Sequence, residues 1–197
     1  MGWPTARAAQ TATTVTKTPA GGGCRHAQTP HRRWRRHTSI PLGRRLGAPA
    51  VWQTRANAAA WPALLGTDTV RDRPAPDRWS ALEYACHVRD VFALFAERLA
   101  LMLQEDDPVF ANWDPNVTAE AERYHEQNPA EVAAQLSEAG TRIADRFTQL
   151  SAQQLQRPGR RSDGASFSVE TFARYEIHDP LHHLWDVTGE SLGGWTA

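Results

Sequence analysis

Three of the chain's eight histidines fall within six positions, in the stretch "IHDPLHHLW" at 177–185. Imidazole is a common ligand for divalent metals, and two imidazoles one helical turn apart can grip the same ion. A helical step of about 100° per residue puts His178 and His182 on one face and turns His183 away. A third nitrogen must come from elsewhere, and His87 in "YACHVRD" is placed to supply it. It shares a helix face with Tyr84, Val91 and Leu94, a face that should point inward or toward a pocket. Three neutral imidazoles hold a divalent ion and leave a position open for water or substrate, which is a catalytic arrangement. His87, His178 and His182 are therefore the expected metal ligands. Pro180 lies between two of them, and a local kink there would let His183 replace His182. On spacing alone the plainer alternative stays open: a core histidine with its hydrogen bonds met, and a histidine pair on a polar helix face.

Carboxylates that could accept the second N–H of such rings are Glu83, Asp90, Glu176 and Asp186, with surface ion pairs as their other use. Arg89 and Arg174, together with Arg161, are candidates to contact anionic groups of a cofactor or substrate; each singly also reads as a solvated charge. Tyr84 and Trp185 either wall a pocket or fill the core. Cys86 points about 100° away from His87 and reads as a small buried hydrophobe. Cys24 is the only other cysteine, so neither a disulfide framework nor a CxxC site is expected.

The elements that must carry these residues are helical. Residues 52–66 make a short first helix that Pro62 interrupts. A long helix follows Ser80, whose spacing to Glu83 is that of a capping box. Residues 105–128 form a connection with two prolines and a short helix. The next helix opens on Pro129, residues 157–166 read as a loop, and Ser168 caps the last helix. No segment alternates over strand length. The expected fold is all-α: an antiparallel four-helix bundle over residues 52–190 with a long crossover connection.

Residues 1–50 read as a disordered Arg-rich tail, too thin in apolar residues to offset the entropy of ordering. Residues 1–60 carry ten basic side chains and no acidic one, whereas 61–197 carry 12 basic and 22 acidic. Trp34 among the arginines of "HRRWRRH" has the composition of a nucleic-acid arm, but a basic cluster is a weak signal and a solvated tail is the preferred reading. Nucleic acid is not an expected partner. No run of 18 apolar residues is present, and no apolar run of leader length follows the N-terminal arginines. No membrane association is expected, and the cytoplasm is the expected location.

"WSALEYACHVRD" at 79–90, followed nearly a hundred residues later by "HDPLHHLWDV" at 178–187, resembles the DinB-like superfamily, particularly its actinobacterial members. The resemblance extends over residues 70–187 and takes in "RRSDGASFSVETFARY". It implies a four-helix bundle that binds a divalent metal, zinc or nickel, through one histidine of the second helix and a HxxxH of the last. By position these fall on His87, His178 and His182. It also implies thiol S-transferase chemistry of the kind that uses mycothiol, bacillithiol or glutathione, the mycothiol-dependent maleylpyruvate isomerase being one relative. The partners expected on that basis are a small thiol, mycothiol first, and a small electrophile. The alternatives are metal-assisted hydrolysis and a non-catalytic binding module, for instance a homodimer. The one departure is the abbreviated first helix, which suggests an upstream or altered start.

Overall fold

The computed structural model describes residues 48–190. The expected basic tail lies outside the described residues up to position 47. In chain order the elements are α1 (Ala48–Leu65), α2 (Ala81–Gln104), β1 (Val109–Phe110), α3 (Pro115–Ala121), α4 (Pro129–Thr148), α5 (Ala152–Leu155), β2 (Pro158–Arg161), β3 (Ser166–Ser168) and α6 (Val169–Thr188), with a 3-10 turn at Tyr124–Glu126 before α4. The first helix is longer than the sequence suggests. It starts at Ala48, with Pro49 in the first turn, where the missing N–H has no helical acceptor to lose. Pro62 falls in its last turn, where the helix is ending in any case.

The helix starts follow the expected chemistry. Ser80 accepts from the Glu83 N–H while the Glu83 carboxylate accepts from the Ser80 N–H at 2.9 Å, closing the capping box of α2. Asn128 caps α4 with Pro129 in the first turn, and Ser168 caps α6. Gly189, at φ 69°, ends α6 in the left-handed conformation that glycine adopts without Cβ strain.

α1, α2, α4 and α6 form the bundle. α4 and α6 each pack against both α1 and α2, so α1 and α2 lie mostly across the diagonal. The Asn57–Pro180 and Thr54–Glu176 hydrogen bonds show α1 and α6 running in the same direction. The Arg55–Asp145 ion pair and the close approach of Ala58 to Gly140 show α4 running opposite to α1. The helices therefore go up, down, down and up, and the crossover between α2 and α4 must travel back along the bundle. Leu82, Val88, Phe92, Leu99, Met102, Leu136, Ile143 and Phe172 fill the centre, with Trp61 and Tyr124 fully buried.

Gly140 sets the spacing of three helices. A Cβ built there lies 2.5 Å from the Ala58 Cβ and 3.1 Å from the Phe92 ring. Gly140→Ala is expected to destabilise the fold by about 1–3 kcal/mol through overpacking, outweighing the better helix propensity of alanine. Urea unfolding of the two proteins measures this; an unchanged midpoint would mean that α1 and α4 separate at no cost.

Short strands stand where a loop and connection were expected. β2 and β3 pair antiparallel across "SDGA", with Gly164 at φ 93°, and β1 adds to β2 in parallel. The strands are two to four residues long, too short for the alternation that marks a strand in sequence. Their effect is positional. They pin the start of the crossover beside α2, from which Trp113 reaches the face of His87.

Candidate metal centre

His87 projects from the second turn of α2 and is almost wholly buried, its side chain 4 % exposed. Its ring lies parallel to the indole of Trp113, centroids 5.3 Å apart at 1°. Trp79, just ahead of α2, lies 5.4 Å away on another side. The Nε2 atom meets the Asp179 carboxylate at 2.9 Å. The other oxygen of Asp179 lies 3.4 Å from His183 Nε2. His183 stands edge-on to His87, centroids 4.8 Å apart, and lies 4.9 Å from the ring of Tyr84. Its Nδ1 is 3.3 Å from the Asp186 carboxylate.

One ligand atom from each of His87, Asp179 and His183 lies within 4.8 Å of the others. Donors about 2.0–2.2 Å from a tetrahedral ion stand roughly 3.4 Å apart, so sub-ångström shifts would let these three share one cation. Two imidazoles and one carboxylate suit a divalent transition metal with open positions. The Nδ1 of His87 is buried and has no hydrogen-bond partner, one of two such atoms among the described residues. It is Nε2, on the other edge of the ring, that faces Asp179 and would bind a cation.

The electrostatics fit the same purpose. Burial opposes ionisation of Asp179, but hydrogen bonds from His183 and His87 outweigh it and keep the carboxylate charged well below the usual range. Its side chain is 50 % exposed by area, so it forms the open side of the centre. Burial disfavours the charged form of His183, yet Asp179 and Asp186 together raise its pKa to about 9. Without a metal the three groups make a hydrogen-bonded ion network; with one, the proton is exchanged for the cation.

Of the ligands expected from sequence, the structure brings only His87 to this place. His178 and His182 lie 4.5 Å apart, ring to ring, and half-buried on another face of α6. Among the described residues no three-ligand group includes either of them. The reason is helical phase. The buried stripe of α6 runs through Ala173, Glu176, Ile177, Pro180, Leu181 and Leu184. At about 100° per residue, Asp179 and His183 flank that stripe on the side of α2, and His182 lies nearly opposite it. Pro180 does not break the helix: its carbonyl accepts from Asn57 Nδ2 at 2.8 Å, which anchors α6 to α1. Asp179 supplies an oxygen where imidazoles were expected; its signal in the sequence is the D-x-x-x-H spacing to His183. Asp186, named among the possible orienting carboxylates, does face His183.

The other candidates have structural partners. Arg89 pairs with Asp90 and donates to Gln127 at 2.6 Å and Gln135 at 3.0 Å, tying α2 to α4. Arg174 is exposed and pairs with Glu170 one turn away. Glu83 serves the α2 cap and Arg73, and Asp90 accepts from Tyr124. Cys86 is buried, and burial pushes its thiol up to about 12, which leaves it inert as a nucleophile. Trp185 is exposed, whereas Tyr84 lines the centre.

Asp186→Asn is expected to lower divalent metal affinity by about 10–100-fold, since it removes the anion that orients His183. Zinc titration against a competing chelator measures this. Equal affinities would show that His183 does not need that partner.

Residues 50–187 match the DinB superfamily. The fold is similar to the solved structure of YfiT from Bacillus subtilis, described as a probable metal-dependent hydrolase with an unusual four-helix bundle topology. The TM-score is 0.68 at 19 % identity, over 81 % of this chain and 93 % of that one. No protein of curated function matches the sequence. No helix among the described residues is long and apolar enough to cross a membrane.

Proposed function

The chain belongs to the DinB superfamily, and from that premise we propose a divalent-metal-dependent enzyme that transfers a small thiol to an electrophilic substrate. The supporting observation is the convergence of His87, Asp179 and His183 at the α2–α6 seam, half open to solvent. These three, rather than His87 with His178 and His182, are the proposed ligands. A divalent cation bound there would supply Lewis acidity, making a thiol or a water in its open position acidic enough to react at neutral pH.

The remaining work falls to the chain's own residues. Asp179 bridges both rings and offsets the positive charge of the centre. Asp186 fixes the orientation of His183. Trp113 and Trp79 cover two sides of His87 and keep water from its ring, so access is from the side of Asp179. Zinc or nickel is the proposed ion. Mycothiol is the proposed thiol, because the actinobacterial resemblance of the two histidine motifs points to it.

Metal-assisted hydrolysis is the second reading, favoured by the description of YfiT and by the water access at Asp179. The test loads the protein with zinc or nickel and follows an aryl halide with mycothiol, bacillithiol or glutathione, beside a p-nitrophenyl ester without thiol. Thiol-dependent turnover that vanishes in Asp179→Asn supports transfer. Thiol-independent ester cleavage supports hydrolysis. Neither reaction from a metal-loaded protein would reduce the proposal to a binding module.

A further inference from the structure

Among the described residues outside the proposed metal centre, one buried cation lacks a counter-charge. Arg98 on α2 is 7 % exposed, and its one hydrogen bond runs from Nη2 to the Ala111 carbonyl at 2.8 Å. No carboxylate among the described residues pairs with it. Its guanidinium lies 5.6 Å from the ring centroids of both Phe95 and Phe110. Aromatic faces offset only part of the cost of removing a guanidinium from water. Burial pulls its pKa down, Tyr175 opposes that, and the nearby positive charge of Arg161 adds to it. The only buried polar side-chain atoms without partners among the described residues are His87 Nδ1 and Glu176 Oε1. The Nε and Nη1 atoms of Arg98 are not among them and so keep some access to solvent.

Two polar groups border the same place. Arg161 of β2 lies over Tyr175, 5.6 Å from its centroid, and donates Nη1–H to the Tyr175 hydroxyl at 2.6 Å. The Tyr175 ring is 5.8 Å from that of Phe95. Tyr175 is 40 % exposed, so its hydroxyl is open to solvent on this side. It stands one turn before Asp179 on α6, as Phe95 stands two turns beyond His87 on α2. The crossover links both places, since Ala111 holds Arg98 and Trp113 covers His87. Arg98 stands three turns beyond His87 on α2, which at 1.5 Å per residue is about 16 Å along the helix.

We infer that Arg98, Arg161 and Tyr175 form a carboxylate-binding subsite, and that the substrate carries a carboxylate remote from its reacting atom. A planar carboxylate matches the fork of a guanidinium and can take the Tyr175 hydroxyl as a further donor. Asp163 already neutralises much of Arg161, which favours a monoanion over a dianionic phosphate. The subsite's place in catalysis rests on the proposed metal centre; its affinity for a carboxylate does not.

Calorimetric titration of the full chain with monomethyl succinate, with neutral dimethyl succinate and inorganic phosphate as parallel probes, tests this. The monoanion should bind saturably with Kd on the order of 1 mM, and the diester should not bind. Arg98→Met should weaken binding by about tenfold or more without lowering the melting temperature, since an apolar side chain suits that setting. Tyr175→Phe, which keeps the ring, should weaken it by about threefold to tenfold. Treatment with EDTA should change neither result, so a failure of the metal reading leaves this titration decisive. Equal binding by wild type and Arg98→Met, equal binding of the diester, or tighter binding of phosphate would overturn the inference. If Arg98→Met does not fold, Tyr175→Phe and Arg161→Gln decide, and full affinity in both would be fatal to it.

Discussion

His87→Ala is expected to abolish divalent metal binding at the proposed centre. Loss of an orienting partner alone lowers metal affinity by about 10–100-fold, so loss of a ligand should exceed about 100-fold. The effect separates a ligand from a core histidine. A cation that binds only the native state at 100 times its Kd adds about 2.7 kcal/mol of stability. Zinc should therefore raise the melting temperature of the wild type and leave that of His87→Ala unmoved. The variant will also lose some stability outright, because the ring packs between Trp113 and Trp79 and leaves a cavity. That second loss is independent of zinc, so scanning fluorimetry with and without the ion distinguishes the two. A zinc-induced rise of the same size in both proteins would assign His87 to packing alone.

Glu176→Gln is expected to stabilise the fold at neutral and alkaline pH. Glu176 is fully buried between α1 and α6, with one long contact from Thr54 Oγ1 at 3.4 Å and with Oε1 unpartnered. Burial raises its carboxyl to about 8 from an ordinary 4.5, with the Thr54 hydroxyl opposing. The folded state thus holds a proton that the unfolded state releases. Stability from this group is full below the unfolded value, falls as pH rises from about 4.5 to about 8, and is flat above. At neutral pH the loss is on the order of 3 kcal/mol. Glutamine keeps the shape without the charge, so the variant should melt on the order of 5–10 °C higher at neutral pH. Near the ordinary carboxyl value the two proteins should differ little. Melting curves across that window check it, and a constant difference at every pH would mean that the carboxyl is not held protonated.

Glu176 also shows how much of the site could be read from residue types. The bundle was legible: Ser80 with Glu83, Pro129 and Ser168 mark three helix starts, and the stripes on α2 and α4 give their buried faces. His87 was legible too, because Tyr84, Val91 and the residues around it place it on an inward face. The phase of α6 was not. Two residues near the centre of its buried face are a glutamate and a proline, which count as polar and as a helix breaker in any sequence pattern. Their burial rests on long-range partners, Thr54 and Asn57 of α1, that no local window contains. The aspartate between Pro180 and His178 thus looked like a helix-surface charge, and the HxxxH pair looked like the ligand face. Trp113 and Arg98 were hidden for a related reason: the crossover that brings the first to His87 and holds the second is fixed by two-residue β1 pairing with β2.

The most direct measurement is the metal content of four single variants after reconstitution and gel filtration. With His87 intact, Asp179→Asn and His183→Ala should bind substoichiometric zinc or nickel. His178→Ala and His182→Ala should retain the wild-type content, because neither ring belongs to the group formed by His87, Asp179 and His183. Full metal in His183→Ala with loss in His178→Ala and His182→Ala would contradict this assignment and move the centre to the HxxxH pair.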